Sequence, residues 1–200
     1  MPSAIAAGFY GKLPARGDFV RSGLPREFTD RWDEWLRSVM TDSRRLLGDD
    51  WLPAFLEAPV WRFLLPRGMC GPHAAIGLML PSVDRAGRHF PLTFVALSTH
   101  DIVKNAGTAW LDMCEAAGRA ALEQDTPPQE MAGLLGTPDL PEAAADLAEA
   151  TWWSEGSTHV GPACLVLRCL PDAQTFAAML GGETTGADVA CDASGLGERE

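Results

Sequence analysis

The sequence predicts an α+β fold, an antiparallel meander sheet of about five strands covered by helices. Short apolar runs bounded by Gly and Pro recur through residues 59–98, with the length and punctuation of strands. Longer segments on either side carry apolar residues at helical spacing. Strands that follow one another through tight turns become antiparallel neighbours, and helices flanking such a run pack over the sheet.

GFYGKL (8–13) is short and apolar and ends at Pro14 and Arg16-Gly17-Asp18, which predicts an edge strand leading into a loop. Leu24-Pro25 opens a helix in which Phe28, Trp32, Trp35, Leu36, Val39 and Met40 form one apolar stripe, so both tryptophans are read as core. Glu27 with Arg31 and Asp33 with Arg37 fall at i,i+4 on the other face. PVWRFLLP, HAAIGLMLP and PLTFVALST are then three strands. Arg62 interrupts the alternation of the first, so it faces solvent, meets a partner or is paired. Gly77 weakens the second, the mark of something packed closely against it.

Asn105–Gln124 is helical again, with Trp110, Met113, Cys114, Ala117, Ala121 and Leu122 on the buried side. Pro127-Pro128 breaks it and starts a short helix ending near Gly136. PDLPEAAADLAEAT (138–151) reads as an alanine-rich helix whose Asp139, Glu142, Asp146 and Glu149 form a solvated face or, as the sharper alternative, an electrostatic contact. ACLVLRCL (163–170) is a final, well-buried strand, and Pro171-Asp172 starts a helix through Leu180, ended by Gly181-Gly182. Residues 1–182 are thus expected to form a single domain. The acidic tail 183–200 has too few large apolar residues to pack and is expected to be mobile.

Composition narrows the function classes. The 200 residues carry 27 acids against 16 bases, a net charge of −11, so the long-range field repels nucleic acid. Arginine is nonetheless concentrated in 12–45 and 61–88, which leaves room for a local contact with an acidic partner. The five cysteines (70, 114, 164, 169, 191) are odd in number and include no Cys-x-x-Cys, which favours buried thiols in a reducing compartment. The first residues lack a basic stretch followed by an apolar core, and no run approaches the roughly 20 apolar residues a bilayer requires. A cytoplasmic protein without membrane insertion is expected.

No phosphate-binding loop, dinucleotide fingerprint or nucleophile elbow is present, and no two histidines stand at i,i+4. Cys70-Gly-Pro-His73 has the spacing of half a zinc site without a second half, so neither metal nor cofactor is expected. Two constellations remain, KLPARGDFVR (12–21) and the PSVDRAGRHFPLTF stretch (81–94). The second can be a structural corner: Ser82 and Asp84 bond main-chain amides, Gly87 supplies a positive φ, Asp84 pairs with one arginine and Asp18 with the other. Alternatively, Arg85 and Arg88 recognise an anionic or acidic surface, since guanidinium suits carboxylate and phosphate. Catalysis by Ser82 or Asp84 is the third reading, and no base for the serine is visible. Adjacent Trp152 and Trp153 on extended chain point to opposite faces, so one lies outside the other's core, as a partner contact or a lid over the sheet. Candidate partner-binding residues are therefore Arg62, Arg85, Arg88, Trp152 and Trp153.

The segments GFYGKLPARGDFVRSGLPREFTDRWDEWL (8–36), LGDDWLPAFLEAPVWRFLLPRGMCG (47–71), LMLPSVDRAGRHFPLTF (78–94) and WWSEGS (152–157) together resemble the TagF/ImpM family, accessory proteins of bacterial type VI secretion systems. Departures lie mainly in the acidic alanine-rich segment and the tail. The resemblance implies a non-enzymatic, cytoplasmic, post-translational repressor of secretion-machine assembly. Its partner would be the forkhead-associated scaffold protein of the system, and its fold distantly like the longin or profilin group. The family supplies no catalytic residues, so Lys12, Asp18, Ser82, Asp84, Arg85 and Arg88 are motif positions. The runner-up is a small-ligand sensor or an enzyme using the arginine loop; oligomeric state stays open.

Overall fold

The structure, a computed structural model, describes residues 4–124 and 126–181. The elements are β1 (Ala4–Gly11), β2 (Val20–Ser22), α1 (Arg26–Leu47), α2 (Trp51–Glu57), β3 (Trp61–Leu65), β4 (Ala74–Leu80), β5 (Leu92–Ser98), α3 (Thr108–Gln124), α4 (Pro128–Leu134), β6 (Ala150–Ser154), β7 (Ala163–Leu167) and α5 (Ala173–Met179). The acidic stretch 183–200 and Cys191 lie outside the described residues. Among the described residues, no helix is long and apolar enough to cross a membrane.

All strands join one antiparallel sheet in the order β2-β1-β5-β4-β3-β6-β7. The α+β class is as expected, but the sheet has seven strands rather than about five. Two were invisible as strands. β2 is three residues long, too short to show alternation, and exists because Val20 to Ser22 pair with Gly11 to Phe9. β6 holds the double tryptophan and is drawn into the sheet by pairing Phe63 with Trp152 and Trp152 with Leu165. β1 is accordingly not an edge strand, since it lies between β2 and β5. The edges are β2 and β7, and β7 is not well buried: Val166 is 40% exposed and only Leu165 is buried.

The sheet has a core on each face. One side carries α1, whose Phe28, Trp32, Leu36, Val39 and Met40 are buried as the helical spacing predicts. There Trp32 stands 4.9 Å from Phe63, which is 5.0 Å from Trp152, and the Trp32 indole N–H donates to Thr93 Oγ1 at 3.0 Å. Rings in this arrangement add to plain area burial. A Cβ on Gly77 would come within 2.5 Å of the Phe63 ring and 2.3 Å of the Phe94 carbonyl oxygen, which explains a glycine inside β4. The opposite side packs Phe9, Ile76, Leu78 and Phe94 against Leu111, Cys114 and Ala121 of α3. This helix starts later than expected because Asn105 and Gly107 both have φ of 67°. Its buried stripe includes Leu111 and Gly118, while Met113 is exposed.

Two further expectations change. α2 was hidden by Pro53, which sits in its first turn where the missing N–H costs nothing. Residues 138–149 form no helix despite their alanine content. Local propensity loses here to longer-range bonding. The buried Asp101 carboxylate accepts the main-chain N–H of Leu147 at 2.8 Å and of Arg67 at 2.9 Å, and the Asp101 carbonyl accepts Ala143 N–H at 2.7 Å. Val103 N–H donates to Pro141 O at 3.0 Å, so the segment lies pinned and extended. Of its acids, Asp146 meets Arg67 at 2.6 Å and Glu149 meets Arg168 at 3.1 Å.

The Trp152 indole N–H is the one buried side-chain donor without a hydrogen-bond partner among the described residues. Trp152→Phe removes that orphan along with part of the ring and is expected to change stability by less than about 1 kcal/mol in urea unfolding. Trp152→Ala should cost about 3–5 kcal/mol in the same measurement. Asp101→Ala strands two main-chain N–H groups and should cost about 1–3 kcal/mol, with amide exchange rising first in 138–149.

Candidate functional site

The β4–β5 connection folds back on itself around Asp84. Asp84 N–H donates to Arg88 O at 3.0 Å, Gly87 N–H to Asp84 O at 2.9 Å and Phe90 N–H to Ser82 O at 3.0 Å. Gly87 has φ of 77°, a region that side chains disfavour. Inside this turn Asp84 Oδ1 accepts the main-chain N–H groups of Ala86 and Arg88, each at 2.9 Å. Asp84 Oδ2 accepts Lys12 Nζ at 2.6 Å and Arg88 Nε at 2.7 Å. The Asp84 side chain is wholly shielded, and Lys12 is 6% accessible.

The same turn is bolted to the loop after β1. Ser82 Oγ donates to Lys12 O at 2.7 Å, Arg85 N–H donates to Arg16 O at 2.9 Å, and Arg88 Nη2 donates to Gly17 O. Lys12 Nζ also lies 5.0 Å from the centre of the Phe19 ring, a cation–π contact. Phe19 stacks on Tyr10 at 5.5 Å and meets Phe90 edge-on at 4.9 Å, while the Tyr10 hydroxyl donates to Asp33.

Burial by itself would raise the Asp84 pKa. The Lys12 ammonium, the Arg88 and Ala86 N–H groups and the Arg88 guanidinium outweigh it and hold the carboxyl well below the usual range. Asp84 is therefore a fixed anion at neutral pH and has no proton to give. Ser82 commits its proton to a carbonyl, not to a base, which leaves the hydroxyl no route to activation. His89 is held below its ordinary pKa, first by partial burial and then by Arg44, and its ring stands edge-on to Trp51 and Phe55. Burial pushes the Cys70 thiol up to about 12, far from thiolate chemistry. No group of three or more His, Cys, Asp or Glu that could hold a metal ion occurs among the described residues.

The remaining sequence candidates are dispersed. Arg62 is neither solvent-facing nor free: its guanidinium meets Asp112 at 2.7 Å and Glu115 at 3.0 Å on α3, with 13% of the side chain accessible. Trp152 is fully buried on the α1 side, which leaves it no surface to offer a partner. Trp153 points the other way, half-buried against the α3-side core, so the pair does divide between faces. Asp18 is exposed and accepts Phe19 N–H at 2.8 Å; it forms no ion pair among the described residues, so the expected pairing with an arginine is absent. Arg85 is exposed with no ion pair among the described residues, and Arg88 is spent on the turn.

The sequence does not name Lys12 as the main counter-ion of Asp84. Its place as the lone charge in the apolar run 8–13 is the available signal, because an ammonium buried with such a run requires an anion. Beside the corner lies an open groove of ≈ 580 Å³, walled by Arg16, Phe19, Arg21, Pro128 and Gln129. A second, apolar crevice beside Phe55, Trp61 and Met179 holds only ≈ 20 Å³, room for about one water.

Breaking the corner should be costly. Removing one partner of a buried pair typically loses about 3–5 kcal/mol, and Lys12→Met is expected to fall in that range by chemical denaturation. Because the folded Asp84 pKa is depressed, its contribution is fully present above the unfolded value near 3.9 and fades as pH falls below it. The stability deficit of Asp84→Asn should therefore be largest near neutral pH and shrink between about pH 4 and pH 2.

The family model "TagF N-terminal domain, Type VI secretion system-associated" matches residues 8–137, from within β1 to just past α4, including both halves of the corner. PA0076 from Pseudomonas aeruginosa PAO1, known from a 2.05 Å crystal structure, is similar with a TM-score of 0.79 and 31% identity, over 93% of this chain and 99% of that one. A comparison with curated proteins finds no match. The match over most of the sequence, joined to the shared fold, makes this chain a member of the TagF family of type VI secretion system-associated proteins.

Proposed function

We propose that this chain is a non-enzymatic regulator of a bacterial type VI secretion system, acting in the cytoplasm as a post-translational repressor of assembly. Its partner in this reading is the forkhead-associated scaffold protein of the system. The observation that carries the proposal is the family match over residues 8–137, whose description ties the domain to that secretion system. Further support comes from the corner, where Ser82 and Asp84 are engaged by Lys12, Arg88 and the main chain. That arrangement suits a rigid presenting surface better than an enzyme or a ligand sensor, the alternative the loop first raises.

Repression requires only differential binding. A regulator that holds an inactive conformation of its scaffold about 1.4 kcal/mol more tightly than the active one shifts the balance roughly tenfold. The direct test uses purified components. The immobilised chain should retain purified scaffold protein, and soluble chain should compete it off. Failure of folded components to associate across the micromolar range would overturn the reading.

A further inference from the structure

We infer that the groove beside the Asp84 corner docks an extended acidic segment of a partner protein through Arg16, Arg21 and Arg85. The inference rests on the reading of this chain as a binding protein and names the surface and the chemistry of what it binds.

Charge placement is the first observation. In a chain of net charge −11, carboxylates are plentiful, and among the described residues most arginines away from this corner pair with one, Arg26, Arg31 and Arg44 being the exceptions. Arg62 meets Asp112 and Glu115, Arg67 meets Asp146, Arg119 meets Glu115 and Arg168 meets Glu149. Arg16, Arg21 and Arg85 are exposed and have no ion pair among the described residues. Arg16 and Arg21 wall the groove, and the Arg85 N–H bond to Arg16 O places the third arginine beside the first. Asp18 is the only acid among the groove's wall residues, and its Oδ1 is turned to the Phe19 N–H.

The backbone beneath these side chains is already fixed. Arg88 holds Gly17 O, Ser82 holds Lys12 O, and Phe19 is clamped between Tyr10 and Phe90. Binding therefore orders arginine side chains alone, with little loop entropy to lose. The groove is open, and Phe19, Val20 and Pro128 form its apolar part. Arginines spread along a groove suit carboxylates carried along a chain, which recur on one side of an extended segment every ~7 Å. A single small anion would instead require donors converging on one point. Guanidinium forks match carboxylates with two parallel bonds, which gives orientation as well as attraction.

The test uses the full chain and a fluorescein-labelled peptide of alternating Glu and Ala, followed by anisotropy. Saturable binding that weakens between about 50 and 200 mM salt is expected. The variant Arg16→Glu/Arg21→Glu/Arg85→Glu should bind at least about tenfold more weakly. The control Arg26→Glu/Arg31→Glu/Lys104→Glu, of equal net charge, should stay within about twofold of the parent. The corner uses Arg16 and Arg85 through main-chain atoms, so folding should survive the side-chain changes. If the triple variant nevertheless unfolds, Arg85→Glu alone, with a loss of about threefold, decides the matter.

Equal binding by parent and triple variant would overturn the inference. So would tighter binding of inorganic phosphate or of a single-stranded oligonucleotide than of the peptide. The scaffold assay separates this inference from the proposed function. Scaffold retained by the parent and lost by the triple variant supports both. Scaffold retained equally by both overturns only the docking surface. Scaffold not retained by the parent, with the acidic peptide still bound, overturns only the identity of the partner.

Discussion

Everything near the candidate surface depends on one buried anion. The Asp84 carboxylate is shielded from water, and two cations and two main-chain N–H groups converge on it. An isolated carboxylate in that place would be prohibitively unstable, so Lys12, which lies 72 residues away in sequence, must come to it. That requirement locks the loop after β1 onto the β4–β5 turn. The arginines those loops carry are then presented on a framework with fixed main chain.

Behind the corner, the sheet supplies rigidity by a different means. α1 runs over the β-sheet with Trp32 set among Phe63, Trp35 and Trp152, and Trp35 meets Phe176 of α5 edge-on. The ring system joins the centre of the sheet to the β6–β7 end, which lies beyond the residues 8–137 of the family match. The Trp61 indole N–H donates to Met179 O at 2.9 Å and the Trp35 indole N–H to Pro171 O at 2.7 Å, so indole nitrogens as well as ring faces tie α5 down. On the other face Arg62 reaches from β3 to Asp112 and Glu115, fastening α3 to the sheet. Its pKa is raised: burial works against the charge, and the two carboxylates more than offset it.

The polar groups thus divide by task. Lys12, Asp84, Arg88, Asp101 and Arg62 join separate parts of the chain, and each has its bonding capacity engaged. The guanidinium groups of Arg16, Arg21 and Arg85 form no ion pair among the described residues, and they gather beside the open groove of appreciable size described above. The first set fixes the framework of the corner, and the second is the set on which the proposed docking of a partner rests.

Local periodicity by itself determined much of the architecture. The stripe from Phe28 to Met40 specified α1, the Gly/Pro-bounded runs specified β3, β4 and β5, and the Pro127-Pro128 and Pro171-Asp172 signals placed α4 and α5. Adjacent Trp152 and Trp153 announced that they would part to opposite faces, because side chains of an extended chain alternate. The motifs also carried the family resemblance. What only tertiary structure decided was every feature whose cause lies far along the chain. β2 and β6 are strands because ladder partners await them, and 138–149 is extended because Asp101 captures its N–H groups. Lys12 rather than an arginine alone neutralises Asp84, and Arg62 is paired rather than free, because a buried charge takes whatever counter-ion folding brings within reach. Spacing along a sequence encodes which face a residue occupies; it does not encode which residue stands opposite.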